Sequence, residues 1–414
     1  MILTCKFLPR LLCTQSRATA RNAPIHSLPS LLFSVNRSMS NISQRMDSTP
    51  KPRVAVLYQG LDPPVINGIR KPKKPGGYLD SGADIAYTLS QSPDIEVVCP
   101  GNDLKPEDQA GWSFPDTEDG IMAAIEKGAT HLWTNTILFA AHPLQTSARI
   151  AEHQDRIRVI CQGPLIVEQY DDKEFVNDLL RSIGDFTMPR SWTISESSNV
   201  EQDIQKLDLP FPVVAKPIRG RGSHGVRVCH DSQELVDHAR SLFKESPAIM
   251  LEEFLSGEEA TVTVMPPSPG KDNYWALPVV TRFNHVDGVA PYNGTVAVTA
   301  NSRAITAAEG GEPTYQQVAT ECERAARELG VTAPIRIDVR RFKDSADSKF
   351  ALFDVNMKPN MTGPGRPGRE DQASLTLLGG AALGWDYQEL LRRILSTSST
   401  LRTLRGLKPR EMVQ

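Results

Sequence analysis

Hydrophobic and polar residues follow two different periods along the chain, and together they predict alternating strands and helices. Short apolar runs bounded by turn residues are typical of buried strands, and apolar positions that recur every three or four residues are typical of helices. The two patterns alternate from residue 53 to residue 161, which favours a parallel, doubly wound sheet. The strands expected there are 53–57, 94–99, 130–135 and 156–161, with helices at about 81–89 and 117–127.

After residue 165 the pattern predicts two α+β lobes. The elements expected in the smaller lobe are helices at about 171–183 and 233–244 and strands at 191–194, 211–216, 226–229 and 248–251. The larger lobe is expected to contain strands at 260–265, 275–282, 334–339 and 352–356. Its helix at 315–329 shows the clearest 3.6-residue period, and Gly330 is a typical helix end.

The first 50 residues differ in composition from the rest of the chain. They contain basic residues and frequent serine, with no acidic residue before Asp47, which is typical of a mitochondrial transit peptide. A disordered extension has the same composition, and Met39 and Met46 are alternative starts that would remove it. Both interpretations stay open, so the expected location is cytoplasmic or mitochondrial. The domains expected after this leader are an N-terminal α/β domain at 51–165, a small lobe at 166–259, a large lobe at 260–397 and a peripheral tail at 398–414.

Overall composition limits the class of partner. The chain has 414 residues and a net charge of −3, with 40% hydrophobic and 23% charged residues, which allows two or three domains. The lack of a basic excess argues against nucleic acid as the main partner, and no apolar run is long enough to span a bilayer. The six cysteines are scattered without a CxxC pair, which favours reduced thiols.

A lysine followed at once by a glycine-rich turn is the sharpest local signal. Lys216 ends an apolar strand, and Gly220, Gly222 and Gly225 follow, with Ser223 among them. Glycines let backbone N–H groups converge on an anion, while lysine adds a positive charge and serine a hydroxyl donor. The segment therefore suits a polyphosphate. In isolation, an ordinary glycine-rich hairpin with a solvated lysine fits it equally well.

Two strands of the large lobe place hard oxygen ligands on one face. Strict alternation puts Arg336 and Asp338 opposite the core side chains, and it puts Asp354 and Asn356 on one face of the next strand. The polar turn 343–349 indicates that the two strands form an antiparallel pair. Carboxylates and an amide, with no His or Cys, suit Mg²⁺ that also holds substrate phosphates. The alternative is a solvated polar face of the sheet.

An apolar strand that runs into an acidic segment gives a third signal at the expected boundary between the lobes. Backbone groups in such a connection can bind an adenine edge, and an acidic side chain can accept hydrogen bonds from ribose hydroxyls. A solvated acidic turn is the alternative. The residues concerned are Glu252, Glu253, Phe254, Leu255 and Glu259.

Taken in order, these signals resemble the ATP-grasp superfamily, and most closely its D-alanine–D-alanine ligase group, over roughly residues 54–395. The resemblance implies an N-terminal doubly wound parallel sheet domain followed by a two-lobed ATP-grasp fold. It also implies an ATP- and Mg²⁺-dependent ligase that joins a small carboxylate to an amine through an acyl phosphate and releases ADP and phosphate. Two Mg²⁺ ions, or Mn²⁺ in place of Mg²⁺, are compatible with it, and a homodimer stays open.

The resemblance assigns roles to individual residues. Those expected to bind ATP are Lys173, Lys216, Gly220, Gly222, Ser223, Gly225, Glu252, Glu253, Phe254, Leu255 and Glu259. Those expected in catalysis are Arg336, Lys216 and Ser223, and the metal ligands are Asp338, Asp354 and Asn356.

The segments expected to hold the carboxylate and the amine depart from the family pattern. The family's Pro-Gly-Met reads Pro359-Asn360-Met361 here, and the loop expected to close over the donor lacks the family's lysine. These departures predict another amino acid or a specialised metabolite in place of D-alanine. An ATP-binding protein without turnover, either a sensor or a partner subunit, is the alternative. The substrate candidates are Tyr292, Asn293, Arg303, Asn360, Arg366 and Arg369.

Overall fold

The computed structural model describes residues 50–71, 73–220, 222–289 and 297–412. A mostly parallel sheet forms the N-terminal domain. Its strands lie in the order Ser399–Thr400, Arg158–Ile160, His131–Asn135, Arg53–Tyr58 and Glu96–Val97, and Phe114–Pro115 also pairs with Arg53–Tyr58. Apart from Ser399–Thr400, these strands run parallel to their neighbours. The helices of this part are Leu79–Ser90, Glu118–Glu126, Pro143–Thr146, Ala148–Ala151 and Pro164–Tyr170.

Two antiparallel sheets follow, one in each lobe. The small-lobe sheet has the order Arg227–Cys229, Val213–Pro217, Ala248–Glu253 and Ser191–Ser195. The large-lobe sheet has the order Ser302–Ala304, Val280–Arg282, Glu259–Met265, Ile335–Arg341 and Phe350–Asn356, with Trp275–Ala276 also paired to Glu259–Met265. The helices here are Lys173–Ile183, Val200–Gln205, Ser232–Leu242, Val298–Asn301, Pro313–Glu328, Leu375–Ala381, Tyr387–Leu395 and Leu401–Gly406. The predicted fold class, a parallel α/β domain followed by two α+β lobes, is confirmed.

Short elements complete the chain trace. Val65–Ile66 and Ile69–Arg70 form a small antiparallel ladder of their own, and Pro75–Tyr78 and Glu309–Gly311 are 3₁₀ turns. The four described cysteines, at positions 99, 161, 229 and 322, are free thiols. In the described ranges, no helix is both long and apolar enough to cross a membrane.

Three expectations about elements are wrong in detail. The strand expected at 94–99 is paired only at Glu96–Val97. The strand expected at 275–282 is split in two, because Pro278 lacks the N–H that a continuous ladder needs. Residues 399–406 are not a peripheral tail, since they add a strand to the first sheet and a helix that buries Leu401 and Leu404.

The small lobe has an apolar core of its own, whereas the core of the large lobe is continuous with that of the N-terminal domain. Val213, Leu235 and Ile249 belong to the small-lobe cluster. Leu57 from the first sheet, Leu180 from the helix Lys173–Ile183 and Ile337 from the large-lobe sheet share one cluster. The main cavity described below therefore lies between two separately packed bodies.

His131 gives the folded protein an expected sensitivity to acid. Burial, with a smaller contribution from Arg158, lowers the pKa of this imidazole from 6.5 to about 4. Between those values the unfolded chain binds a proton that the folded chain does not, so stability is lost as the pH falls from 6.5 towards 4. Urea unfolding at several pH values should show this slope reduced in His131→Gln and unchanged in His230→Gln, which alters an exposed histidine. Equal slopes in all three proteins would contradict the assignment.

Candidate active site

A cavity of about 240 Å³ lies between the small-lobe sheet and the large-lobe sheet, and the N-terminal domain contributes part of its wall. The small lobe contributes Lys216 and Glu252, and the large lobe contributes Asp338 and Asp354. Tyr78 comes from the N-terminal domain. The cavity thus brings together the three groups of residues that the sequence singles out.

Lys216 is buried and paired across the small-lobe sheet. The register places it opposite Met250, and its Nζ lies 2.5 Å from Glu252 Oε2. Lys216 and Glu252 are 4% and 3% exposed, and Asn177 donates to the other oxygen of Glu252 at 3.1 Å. Lys216 also donates to the backbone carbonyl of Phe353 at 3.3 Å, which links the two lobes. The ammonium is therefore held at the cavity wall by contacts from both sides.

The residues of the glycine-rich turn contact two different surroundings, the cavity and the interior of the small lobe. Gly220, Gly222 and Ser223 line the cavity, and both Gly222 and Ser223 have a φ of 59°, in the left-handed region. Gly225 packs inward, because a Cβ there would lie 2.8 Å from Leu242 Cδ2. The turn thus presents the backbone and a serine hydroxyl to the cavity, and Gly225 serves the packing beneath it.

The connection between the lobes lines the same cavity. Glu252, Glu253, Phe254, Leu255 and Glu259 are all part of its wall. The side chains that hold Glu259 are not among the residues expected from the sequence. These are Arg282 at 3.1 Å, His285 at 2.9 Å and Arg340 at 3.7 Å. Arg340 also lies 5.1 Å from the centroid of the Phe254 ring. Contacts with these basic side chains therefore hold the Glu259 carboxylate in one position.

Two paired strands of the large lobe carry the predicted oxygen ligands. The strands Ile335–Arg341 and Phe350–Asn356 pair antiparallel, with Asp338 opposite Asp354 and Arg336 opposite Asn356. Asn356 Nδ2 donates to Asp338 Oδ2 at 3.2 Å, and Thr261 Oγ1 donates to Asp338 Oδ1 at 2.6 Å. Asp338, Asp354 and Asn356 all line the cavity.

Two ion pairs keep this face charged. Burial favours the neutral form of Asp338, but Arg336 at 3.0 Å outweighs it, so the pKa of Asp338 is lowered. Burial also favours neutral Lys173, but Asp354 at 2.8 Å outweighs it, so the pKa of Lys173 is raised. At neutral pH Asp338 is therefore ionised, and Asp354 forms an ion pair with Lys173; both carboxyl groups belong to residues of the cavity wall.

The donor set fits a magnesium ion. Two carboxylates and one amide suit a hard cation that also takes oxygens from a substrate phosphate. In the described ranges, no group of three His, Cys, Asp or Glu side chains is placed to hold a metal. A cation here would thus depend on Asn356 and on substrate oxygens, which is how Mg²⁺ is commonly held beside phosphates.

The chain matches known proteins over the lobes that form this cavity. A family model described as D-ala D-ala ligase C-terminus matches residues 182–396, which is more than half of the chain. The chain belongs to the D-alanine–D-alanine ligase family. The expected resemblance to this group is confirmed.

The relatives of this family member are distant in sequence. The D-alanine–D-alanine ligase of Aquifex aeolicus is 26% identical over 225 residues, which are 54% of this chain and 68% of that protein. The enzyme of Syntrophotalea carbinolica is 25% identical over 189 residues, 46% of this chain and 55% of that protein. The chain therefore matches between about half and two thirds of the length of these curated relatives.

Solved structures of the family share the fold over most of their length. The D-alanine–D-alanine ligase from Bacillus anthracis complexed with ATP superposes with a TM-score of 0.56 at 20% identity, covering 86% of this chain and 99% of that one. The VanG D-Ala:D-Ser ligase from Enterococcus faecalis gives 0.56 at 14% identity, covering 84% and 99%. These similarities confirm the ATP-grasp fold.

The substrate candidates of this family member divide into two that lie outside the described residues and four that lie within them. Tyr292 and Asn293 lie outside the described residues. Arg303 forms a bidentate pair with Glu309 at 3.0 and 2.6 Å, and Asn360 accepts hydrogen bonds from its neighbour Thr362. Arg366 and Arg369 both pair with Asp84. None of these four described residues is part of the cavity wall.

The part of the cavity wall that the N-terminal domain contributes is not among the residues expected from the sequence. Lys71 pairs with Asp171 at 2.5 Å, and both line the cavity together with Tyr78 and Lys358. The available signal was the basic loop from residue 70 to residue 74, which departs from the family pattern. The position of this loop against the lobes depends on how the N-terminal domain packs. Local sequence patterns carry no information on that packing.

Proposed function

We propose that this chain is a ligase that uses ATP and Mg²⁺ to activate a carboxylate as an acyl phosphate and then couples it to an amine. The convergence of Lys216, Lys173 and the Asp338–Asp354–Asn356 face on one cavity carries the proposal. A carboxylate that attacks the γ-phosphate of ATP must approach another anion, so a positively charged surrounding is the main requirement of the reaction. The departures around the substrate segments favour a substrate other than D-alanine.

Charge neutralisation and positioning account for the first step. Lys216 and Lys173 would neutralise phosphate oxygens, and Gly220, Gly222 and Ser223 would supply backbone N–H groups and a hydroxyl, since all of them line the cavity. Asp338, Asp354 and Asn356 would hold Mg²⁺, which supplies further neutralisation of the phosphates when bound. The carboxylate oxygen bonds to the γ-phosphorus as the bond to ADP breaks.

In the second step the amine attacks the acyl carbon, phosphate leaves and the amine loses a proton. Arg336 is the catalytic candidate for this step. Its Nε and Nη2 donate to Asp338, at 3.0 and 3.2 Å. This arrangement favours a positioning role through Asp338.

The products of ATP consumption test the proposal. We expect ADP and phosphate to be released only when a carboxylate and an amine are both present, with the amide detected by mass spectrometry. Asp354→Asn should lower turnover by roughly 100- to 1000-fold, because it removes a charge that would hold Mg²⁺. Asp119→Asn is a matched control, since Asp119 has a 91% exposed side chain outside the cavity wall.

Two results would argue against the reaction in different ways. Release of AMP and pyrophosphate would exclude the acyl phosphate. ATP binding without turnover, over a broad screen of carboxylates and amines, would instead favour a sensor or a partner subunit.

A further inference from the structure

Arg219 is a buried arginine of the small lobe that lies directly before the glycine-rich turn. It follows the strand Val213–Pro217 by two residues and precedes Gly220. Its side chain is only 8% exposed, yet the residue is not part of the wall of the main cavity. A guanidinium keeps its charge throughout the pH range in which proteins are folded, so its burial requires partners behind the wall.

The partners of Arg219 lie in the stretch of chain that leads into the helix Lys173–Ile183. Nη1 donates to the backbone carbonyl of Glu168 at 2.9 Å and lies 3.6 Å from Asp171 Oδ2. Nη2 lies 3.3 Å from Asp172 Oδ2. Because the guanidinium is planar and rigid, two carboxylates and a carbonyl fix its orientation as well as its position.

These contacts join the two separately packed bodies on either side of the main cavity. Val213 and Ala215, from the strand that leads to Arg219, belong to the core of the small lobe. Val167 and Leu180, from the helices before and after the acidic partners, belong to the core that the large lobe shares with the N-terminal domain. Arg219 therefore ties the start of the glycine-rich turn to the other body.

Each end of this contact lies beside a lysine that is proposed to neutralise phosphate. Lys216 is three residues before Arg219, and Lys173 directly follows Asp172. The backbone N–H of Lys173 also donates to the carbonyl of Ile218 at 3.2 Å, so the two chain segments meet through their backbones as well. The contact therefore fixes two lysines, one from each body, relative to each other.

We propose that Arg219 is a positioning residue for the phosphates of the nucleotide, which acts through Asp171 and Asp172. It holds the glycine-rich turn and Lys173 at the spacing that a polyphosphate requires. The inference rests on the proposed function, because it takes the glycine-rich turn as the phosphate site. Loss of Arg219 should weaken the binding of phosphates and leave the binding of the adenosine part, expected at Phe254 and Glu259, unchanged.

Calorimetric titration of the full-length protein with adenosine and with ADP, both in the presence of Mg²⁺, tests this inference. The ratio of the two affinities reports on phosphate binding alone, because a loss of folded protein lowers both in proportion. We expect Arg219→Met to lower the preference for ADP by roughly 10- to 100-fold, since a displacement of about 1 Å in such a site costs that much. Arg219→Lys should lose less, because it keeps the charge but not the planar fork.

Asp172→Asn separates positioning from direct contact with phosphate. Asparagine keeps the helix cap, in which Asp172 Oδ1 accepts from the Phe175 N–H at 3.0 Å, and it removes the charge that faces Arg219. If Arg219 acts through Asp172, this variant should also lower the preference for ADP, and the double variant should lose little more than Arg219→Met alone. An arginine that contacts phosphate directly would instead bind ADP more tightly once its protein partner is neutral.

Arg227→Met is the matched control for loss of an arginine. Arg227 is an exposed residue of the same sheet and is not part of the cavity wall, so this variant should keep the wild-type preference for ADP. Thermal unfolding shows whether Arg219→Met remains folded. If it does not, the comparison of Asp172→Asn with the wild-type protein replaces it.

The inference is overturned if Arg219→Met keeps the wild-type preference, if it lowers both affinities equally, or if Asp172→Asn binds ADP more tightly. It is also overturned if the wild-type protein binds adenosine and ADP equally, since the glycine-rich turn would then not bind phosphates. ADP release in the presence of carboxylates and amines, measured separately, reports on the ligase reaction. A protein that shows the expected binding without turnover would keep the role of Arg219 and lose the proposed ligase function.

Discussion

Lys216→Met is expected to lower kcat/KM for ADP release by roughly 100- to 1000-fold, which is the usual loss when one preorganised charge partner is removed. The side chain is 6% exposed and its ammonium is fixed between Glu252 and the Phe353 carbonyl, so little reorganisation precedes its contact with phosphate. Methionine keeps the length and the apolar packing of the lysine stem. A coupled assay of ADP release at saturating Mg²⁺ measures the change.

The same substitution leaves the Glu252 carboxylate buried with only Asn177 as a side-chain donor. Breaking a buried pair from one side usually costs about 3–5 kcal/mol, so Lys216→Met is also expected to be less stable. The double variant Lys216→Met/Glu252→Gln separates the two effects, because a neutral amide at position 252 needs no counter-charge. It should recover stability without recovering turnover. Near-normal turnover in the double variant would show that Lys216 does not contact the phosphates.

An exposed lysine provides the control for this pair of variants. The Lys206 side chain is 64% exposed, and the residue follows the short helix Val200–Gln205. Lys206→Met should change neither the free energy of unfolding nor the rate of ADP release, because exposed ion pairs contribute little. An effect similar to that of Lys216→Met would indicate a general response to loss of positive charge.

Local periodicity predicts the parts of the site that lie on one strand or on two strands joined by a short turn. The alternation that places Asp338, Asp354 and Asn356 on one face follows from the two-residue period of a strand, and the structure shows the predicted antiparallel pairing. The glycine-rich turn after Lys216 is equally local. These features need no knowledge of how distant segments pack.

Pairing between distant segments is not encoded in any local pattern. Glu252 reaches Lys216 because their two strands are neighbours in the small-lobe sheet. Arg366 follows the strand Phe350–Asn356 and suits a substrate carboxylate by its chemistry, yet its partner Asp84 lies 282 residues earlier in the chain. Sequence reasoning identifies an arginine that needs an anion, but the anion can belong to a ligand or to the protein. Only the packing of the domains decides between them.

Asp84 connects the N-terminal domain to the segment that follows the strand Phe350–Asn356. It is fully buried in the helix Leu79–Ser90, and both Arg366 and Arg369 place Nε 2.8 Å from its Oδ1. The two segments pack closely here, since a Cβ on Gly365 would lie 2.6 Å from the Asp84 carbonyl oxygen. Burial raises the pKa of Asp84 even though both arginines act to lower it. Desolvation of the Asp84 carboxyl is therefore the largest influence on its pKa, and the two arginines oppose it.

Asp84→Asn is expected to lower the free energy of unfolding by about 3–5 kcal/mol, because Arg366 is 4% exposed and would lose its charged partner in the interior. Denaturant unfolding monitored by circular dichroism measures this loss.

The ion pairs of Asp84 with Arg366 and Arg369 are not expected to stabilise the fold more than apolar side chains packed in the same place would. Asp84→Leu/Arg366→Met/Arg369→Met should therefore recover to within about 1 kcal/mol of the wild-type protein. If Asp84→Asn alone were as stable as the wild-type protein, water would have to reach Arg366, and the close packing at Gly365 would be wrong. If the triple variant instead remained as unstable as Asp84→Asn, the ion pairs themselves would be what holds the segment after Asn360 against the N-terminal domain.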